Sequence, residues 1–179
     1  LSAFYFDIRK DSLYCDTKDS EKRKSCIIVL NIILESLLKW FAPILSFTTE
    51  EIFTLISKDK KSIHLEKFLE FPKSFENEKL NKKWLELKKI RDICNISIEA
   101  KRASKEIGSS LEANLTISLN ERLLKITENT NFSELCITST ARIEKNELDE
   151  VRALTTKAEG TKCPVCWKIN KEACERHSI

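Results

Sequence analysis

The chain has 179 residues, of which 41% are hydrophobic and 33% are charged, and its 31 basic and 28 acidic residues leave a formal net charge of +3. This composition excludes global disorder, and so small a net charge does not by itself identify a nucleic-acid binder. Because only 2 glycines and 3 prolines occur, long helices are favoured over a fold rich in turns, and a glycine-rich phosphate loop is excluded.

The start of the sequence carries charge early and lacks the apolar segment of a signal peptide. It begins with Leu and contains no methionine, which we interpret as part of a larger protein or a truncated gene product. We expect a cytoplasmic protein whose seven cysteines stay reduced, so a metal site is favoured over disulfide bonds. Four of the cysteines are expected to be small buried apolar side chains: Cys15, Cys26, Cys94 and Cys136.

Residues 27–41 form the first strongly apolar segment. Polar residues recur at every fourth position, which predicts a helix with a narrow polar stripe that is buried over most of its circumference; the stripe consists of Asn31, Glu35 and Lys39. A membrane span is the alternative, but the segment is shorter than about 20 residues and contains two charges. We therefore expect no membrane partner.

A second helix is predicted after Pro43, which ends the first one. Thr48 and Glu51 have the spacing of a capping box, and apolar residues follow them. The next stretch, residues 57–79, has clustered charges and a proline. It is typical of a long connection without regular structure.

Residues 79–106 have the longest helical pattern, and Gly108 is placed to cap its C-terminus. Nine basic residues and four acidic residues lie in this segment. A cationic helix face suits the phosphates of a nucleic acid, although an ordinary solvated face is the more frequent explanation of such a pattern. The candidate phosphate contacts are Arg91, Lys101 and Arg102.

Beyond residue 108 the period changes from helix to strand. Residues 111–119 alternate apolar and polar side chains, which predicts a half-buried strand. A short helix is predicted over residues 120–129, and residues 134–144 are rich in β-forming side chains that are expected to pair with the strand. The chain is thus predicted to pass from a helical bundle into a small α+β unit.

The C-terminal segment contains a metal-binding pattern. Two cysteines two residues apart are followed, after seven residues, by a Cys and a His with the same spacing: Cys163, Cys166, Cys174 and His177. Two such turns can donate four ligands in the tetrahedron that zinc prefers, and a closed set without an open position is structural. The alternative is that these are unpaired thiols in a frayed tail.

Basic and aromatic residues surround this pattern. A cationic surface with an exposed aromatic side chain suits a polynucleotide, whose bases can stack on it; the candidate contacts are Lys162, Trp167 and Lys168. An equally good interpretation is that Trp167 packs over the metal site as a small core. No catalytic constellation is found in the sequence.

Four ordered segments resemble bacterial isoleucyl-tRNA synthetases, and together they span nearly the whole chain: LSAFYFDIRKDSLYCD, LLKWFAPILSFTTEEIF, WLELKKIRDICNISIEAKRASKEIGSSLEA and AEGTKCPVCWK. The resemblance implies a mostly α-helical fold. It consists of an antiparallel bundle of the anticodon-binding type over residues 1–108, a small α+β junction over 109–156 and a zinc-binding tail over 157–179.

The resemblance also implies a function. The family attaches isoleucine to tRNA-Ile with ATP, in a catalytic domain whose sequence motifs are absent here, as is the editing domain. We therefore expect this part to bind tRNA-Ile, to bind one structural Zn²⁺, to partner the catalytic portion of the synthetase and to have no ligase activity alone. The family usually has Cys where His177 stands, so the expected fourth ligand differs from that of the family. The alternative function is a stand-alone, zinc-bearing module that binds other proteins through its apolar helices.

Overall fold

The computed structural model describes residues 2–57, 61–147 and 149–177. The described residues form two compact units: Arg9–Glu76, and the described parts of Leu1–Ile8 together with Asn77–Ile179. Within these described ranges, a π-helical turn, Ser2–Phe6, precedes six α-helices and five strands. The helices are α1 (Asp7–Cys15), α2 (Glu21–Phe41), α3 (Ser46–Ile56), α4 (Glu78–Ala103), α5 (Glu121–Thr127) and α6 (Phe132–Leu135).

The unit Arg9–Glu76 is built on α2 and α3. Ser20 caps the start of α2, where its side-chain oxygen accepts a hydrogen bond from the Arg23 N–H. The small core of this unit consists of Leu38, Ala42 and Ile63, with Ile52 and Phe53 packed against it. Lys39, only 7% exposed, lies 2.7 Å from the Glu35 carboxylate. Burial by itself lowers the pKa of Lys39, but the hydrogen bond to Glu35 and the charges of Glu35 and Glu66 outweigh it and raise the pKa.

Three sequence predictions for this unit are wrong in detail. The helix over residues 27–41 is not buried around most of its circumference; α3 and the turn Ile63–Leu65 pack on one part of it, and Trp40 is 55% exposed. Thr48 does not cap α3, which begins two residues earlier because the chain after Pro43 is already turning. Cys15 is partly exposed rather than buried, whereas Cys26 in this unit is buried as expected. Residues 58–60 of the predicted connection lie outside the described residues.

The other unit is organised around α4. Asn77 caps this helix by accepting a hydrogen bond from the Leu80 N–H at 3.0 Å. Its buried face recurs at three- and four-residue steps, with Leu87, Ile90, Cys94 and Ile98. This face packs in the same core as the apolar residues of the sheet. The buried face of α4 therefore belongs to the sheet's core.

The sheet has three strands in the order β2-β1-β3: β1 (Ala113–Leu119), β2 (Thr140–Lys145) and β3 (Arg152–Lys157). Strand β1 is central, with β2 parallel and β3 antiparallel to it. Its residues alternate between buried and half-buried, as the sequence predicts. The predicted helix of residues 120–129 is confirmed as α5. The predicted second strand is confirmed only from Thr140 onward, since residues 132–135 form α6.

Two further differences concern boundaries. Gly108 does not cap α4; Lys105 takes the left-handed conformation after the helix, with φ of 60°, and the Glu106 N–H donates back to the Lys101 carbonyl. The boundaries between the two compact units follow residues 8 and 76. The second boundary lies before α4 because this helix packs on the sheet and belongs to the same unit. The functional boundaries at residues 108 and 156 stay a prediction.

A small hairpin follows the sheet in the chain. It consists of β4 (Thr161–Lys162) and β5 (Ile169–Asn170), which pair antiparallel. Gly160 precedes it with φ of 128°, and a Cβ atom there would lie 2.1 Å from the Asn170 carbonyl oxygen. Only glycine fits this close approach of two backbones. We call residues 158–177 the Cys/His module and residues 77–157 the sheet subdomain.

Candidate metal centre and nucleic-acid surface

The hairpin of the Cys/His module places the first two cysteines. Cys163 follows β4 directly, and Cys166 lies three residues before the start of β5. The turn between them closes with two backbone hydrogen bonds: the Cys163 N–H donates to the Lys168 carbonyl at 2.9 Å, and the Trp167 N–H donates to the Cys163 carbonyl at 3.0 Å. Both sulfurs therefore point to the same side of a short, hydrogen-bonded turn, where the last residues of the module meet them.

The structure brings the four predicted ligands together. Their ligand atoms all lie within 4.8 Å of one another. The Cys166 and Cys174 sulfurs are 3.9 Å apart, and Nδ1 of His177 lies 3.6 Å from the Cys163 sulfur and 3.4 Å from the Cys174 sulfur. This cluster can hold a metal ion.

The cluster has the dimensions of a tetrahedral zinc site. With Zn–S bonds of about 2.3 Å and Zn–N bonds of about 2.0 Å, ideal edges are about 3.8 Å between two sulfurs and about 3.5 Å between sulfur and nitrogen. The three separations given above fall close to these edges. Three of the six donor–donor separations thus match a small tetrahedral metal ion, and all six are within 4.8 Å.

The two buried cysteines have different electrostatic environments. Hydrogen bonds from the backbone of Cys166 and of Val165, with smaller contributions from the Cys166 thiol and His177, lower the pKa of Cys163 to about 6. Burial raises the pKa of Cys166 to about 11, and the neighbouring thiols add to this rise. The backbone therefore favours a thiolate at the first ligand, which is the form that binds metal.

Trp167 lies on the outside of the module. Its backbone is left-handed, with φ of 64°, which is uncommon for a bulky residue. The side chain is 58% exposed, and the Lys162 ammonium lies 5.4 Å from the ring centre. More than half of the indole is thus accessible, beside a positive charge, and it does not form an enclosed core over the cluster.

The remaining cations predicted to contact nucleic acid are held by other groups. Lys168 is half-buried, with Nζ 3.5 Å from the Ser133 hydroxyl. Along α4, Lys101 lies 2.8 Å from the Glu106 carboxylate and Arg102 lies 2.6 Å from the Glu99 carboxylate. Lys168, Lys101 and Arg102 therefore each have a partner within the chain, so they do not form a face of unpaired cations.

Arg91 is part of the packing of α4. Its Nε donates a hydrogen bond to the Leu135 carbonyl at 2.8 Å, and its guanidinium lies over the Phe4 ring, 5.4 Å from the centroid. The ten residues between Arg91 and Lys101 correspond to about 15 Å along a helix. The structure therefore brings the candidate metal ligands together, places Lys162 beside Trp167, and spreads the α4 cations along the helix.

The comparison with protein families decides the class of the chain. Residues 1–117 match the model of the anticodon-binding domain of tRNA ligases. The chain belongs to this family. The matched part includes α4 and its three candidate phosphate contacts, and it ends within β1. The Cys/His module lies beyond it.

The anticodon-binding chain also matches curated relatives over nearly its whole length. It is 72% identical over 178 residues, or 99% of its length, to the isoleucine–tRNA ligase of Pelagibacter ubique. It is 38% identical over 96% of its length to the isoleucine–tRNA ligase of Bartonella henselae, and 39% identical over 94% to that of Rhodopseudomonas palustris. The chain spans only about a fifth of the length of these relatives: 20%, 19% and 18%.

Two residues of the module's framework were missed by the sequence analysis. Gly160 could have been noticed as one of only two glycines, directly before the metal pattern. Ser139, whose hydroxyl accepts a hydrogen bond from the Ile169 N–H at 2.6 Å, has no signal in the sequence.

None of the helices in the part of the chain that the structure describes combines the length and apolarity needed to cross a lipid bilayer.

Proposed function

We propose that the chain is the anticodon-binding part of an isoleucine–tRNA ligase and that it binds tRNA-Ile in the cytoplasm. The observation that carries this proposal is the 72% identity to the Pelagibacter ubique ligase over 99% of the chain. The match to the anticodon-binding family over residues 1–117 supports it independently. In this proposal residues 1–108 form the anticodon-binding bundle, residues 109–156 the junction and residues 157–179 the zinc-binding tail.

The Cys/His module holds one structural Zn²⁺ in this proposal. Cys163, Cys166, Cys174 and His177 supply the four ligands, and the edge lengths of their cluster support that assignment. Zinc would supply a cross-link between the hairpin and the last residues of the module. His177 stands where the family usually has Cys, and its Nδ1 is at ligand distance from two sulfurs.

The surface of the module contacts bases. An indole that is 58% exposed offers a face on which an unpaired anticodon base can stack. Lys162, beside the indole, contributes charge toward the adjacent phosphates, as does Lys168 if it leaves the Ser133 hydroxyl. The module therefore contributes to the choice between tRNAs.

The α4 cations contact phosphates. The ion pairs of Lys101 and Arg102 lie at the surface, and exposed pairs of this kind contribute only about 0–1 kcal/mol, so phosphates can replace the carboxylates at low cost. Arg91 keeps its hydrogen bond to Leu135 through Nε and offers the rest of its guanidinium. These contacts position the tRNA without reading its sequence.

The catalytic portion of the ligase is the second partner. Several apolar side chains of the unit Arg9–Glu76 are strongly exposed, among them Ile44 at 75%, Phe47 at 93% and Leu55 at 81%. Exposed apolar patches mark protein contacts. In this proposal ATP and isoleucine bind to that other portion, and these 179 residues do not aminoacylate by themselves.

A tRNA-binding experiment tests the proposal. The zinc-loaded chain should bind a tRNA-Ile transcript more tightly than a tRNA-Val transcript, and its affinity should fall steeply with salt because phosphate contacts release counterions. Equal affinity for both transcripts at every salt concentration would remove the anticodon-binding function. Absence of tRNA binding together with tight, salt-insensitive binding to another protein would favour the alternative module that the exposed apolar residues suit.

A further inference from the structure

One side chain links the Cys/His module to the sheet subdomain. Ser139 lies between α6 and β2 and is only 6% exposed. Its backbone N–H donates to the Ala113 carbonyl at 3.0 Å, at the start of the central strand. Its hydroxyl donates to the Leu111 carbonyl and accepts the Ile169 N–H at 2.6 Å. A single hydroxyl thus bridges the sheet subdomain and strand β5 of the module.

The link continues from Ser139 to the metal cluster and the indole. Ile169 is directly opposite Lys162 in the hairpin, and Lys162 is the cation beside Trp167. The neighbouring Lys168 carbonyl accepts the Cys163 N–H at 2.9 Å. Only one or two residues therefore separate the Ser139 hydrogen bond from a metal ligand and from the base-stacking surface.

A second contact between the same two parts has a weaker geometry. Nζ of Lys168 lies 3.5 Å from the Ser133 hydroxyl, at the end of a long and flexible side chain. The Ile169 N–H, by contrast, belongs to the backbone and meets a buried hydroxyl that is itself fixed by the Leu111 carbonyl. The Ala158 N–H also donates to the Glu112 carbonyl at 2.7 Å, but Ala158 lies before Gly160 and the hairpin. Of the two contacts made by the hairpin segment itself, the buried hydrogen bond of Ile169 is therefore the one that better restrains its direction.

We propose that Ser139 is a positioning residue that docks the Cys/His module on the sheet subdomain and thereby orients Trp167 toward the bound tRNA. The docking role is inferred from the hydrogen bonds of Ser139, whereas the role in orienting Trp167 toward tRNA also rests on the proposed function. Ser139 touches neither metal nor RNA in this proposal. It acts through Ile169 and the hairpin that carries Lys162.

The experiment compares three variants of the zinc-loaded 179-residue chain. Ser139→Ala removes the hydroxyl, and Ser139→Thr keeps it. Thr140→Ala is the matched control, because it removes the neighbouring hydroxyl, which contacts Asn114 and not the module. NMR measures the exchange rate of the Ile169 amide proton and the residual dipolar couplings of residues 161–170 relative to the sheet.

We expect Ser139→Ala to retain one zinc per chain but to raise Ile169 exchange about tenfold, the change that corresponds to the loss of one net hydrogen bond. Its module couplings should no longer fit the orientation of the sheet, and its affinity for tRNA-Ile should fall by about three- to tenfold with an unchanged salt slope. Ser139→Thr and Thr140→Ala should resemble the wild-type chain. A stability effect alone would change neither the couplings nor the affinity of the folded protein.

Three results would overturn parts of this picture separately. Unchanged Ile169 exchange and unchanged couplings in Ser139→Ala would exclude the docking role, even if Ser139→Thr failed to fold. Altered couplings with unaltered tRNA affinity would exclude the orienting role. If the wild-type chain did not prefer tRNA-Ile, the proposed function would fail, and the exchange rates and couplings would still decide the docking role.

Discussion

The sheet subdomain and the Cys/His module lie next to each other in the chain but are stabilised by different means. The sheet subdomain buries a continuous apolar core in which Leu115, Ile117 and Leu119 are at most 1% exposed. The module buries little besides Ala158 and the sulfur-bearing Cys163 and Cys166. About twenty residues cannot build a sufficient apolar core, so in the proposed function the module depends on the candidate ligand cluster and the metal that would join it.

The largest effect is expected when a metal ligand is removed, because this should distinguish stabilisation by a metal from stabilisation by an apolar core. Cys163→Ser should abolish zinc binding, because the variant loses a ligand whose thiolate the surrounding backbone favours. Structural zinc sites contribute about 10–16 kcal/mol in small peptides, so the module should unfold while the sheet remains. Elemental analysis should give one zinc per wild-type chain and none in the variant, and NMR should show sheet resonances in place.

The control for this experiment is Cys26→Ser, which removes a buried thiol far from the cluster in sequence. It should retain zinc. His177→Ala tests the fourth ligand in the same assay, with weakened zinc affinity as the expected result. If zinc affinity in His177→Ala equalled that of the wild-type chain, water or another residue would be the fourth ligand.

The second effect concerns the core of the sheet. Ile117→Ala should lower the free energy of unfolding by about 2–5 kcal/mol, because Ile117 is fully buried in the central strand and its loss leaves a cavity. Leu154→Ala on β3 is the matched control; its side chain is 60% exposed, and the expected change is within about 0.5 kcal/mol. Urea denaturation followed by circular dichroism measures both. Zinc content should stay at one per chain, and a loss of zinc in Ile117→Ala would show that the module does not fold independently of the core.

The sequence predicts the features that local pattern determines. The candidate metal ligands lie within fifteen residues, so two short turns are enough to bring them together, and their spacing predicts the cluster. The alternation of β1 is also visible in the sequence because one face of the strand is buried. The fold class and the family follow from the four longer segments that resemble isoleucyl-tRNA synthetases. The match of residues 1–117 to the anticodon-binding domain confirms both.

The features that the sequence does not predict depend on distant partners. Ser139 and Ile169 are 30 residues apart, and no periodicity connects a serine hydroxyl to a hairpin amide. Lys105 takes the left-handed position after α4 although Gly108 is nearby, because the helix ends earlier than its apolar pattern suggests. Arg91 has the pattern of a surface cation in the sequence, yet its packing on Phe4 is a tertiary contact.

The third expected effect is on tRNA binding by the Cys/His module, to be compared with the effect on tRNA binding by α4. Trp167→Ala should weaken binding of tRNA-Ile by about 1–3 kcal/mol, the range for one base stacked on an aromatic side chain. The salt slope should change little, since no charge is removed. Because the indole is 58% exposed, zinc content should be unaffected. Titrations with tRNA-Ile and tRNA-Val, with zinc measured in parallel, test this; joint loss of zinc and binding would instead give Trp167 a structural role.

The smallest effect is expected on α4, and it should differ in kind from that of Trp167. Changing Lys101 and Arg102 to Ala removes two cations that are candidates for binding phosphates, which should weaken all tRNAs by similar factors. The slope of log affinity against log salt should become shallower by about 0.7 to 0.9 for each phosphate that is no longer neutralised. In the proposed complex both cations would exchange a surface carboxylate for a phosphate, so each is expected to contribute little net affinity at physiological salt. Lys24→Ala is the matched control, since it removes a helix-surface cation that also pairs with a carboxylate, Glu21, but is not proposed to bind tRNA. A selective decrease in tRNA-Ile binding by the α4 variant would mean that this helix reads sequence, and the division of roles between helix and module would be wrong.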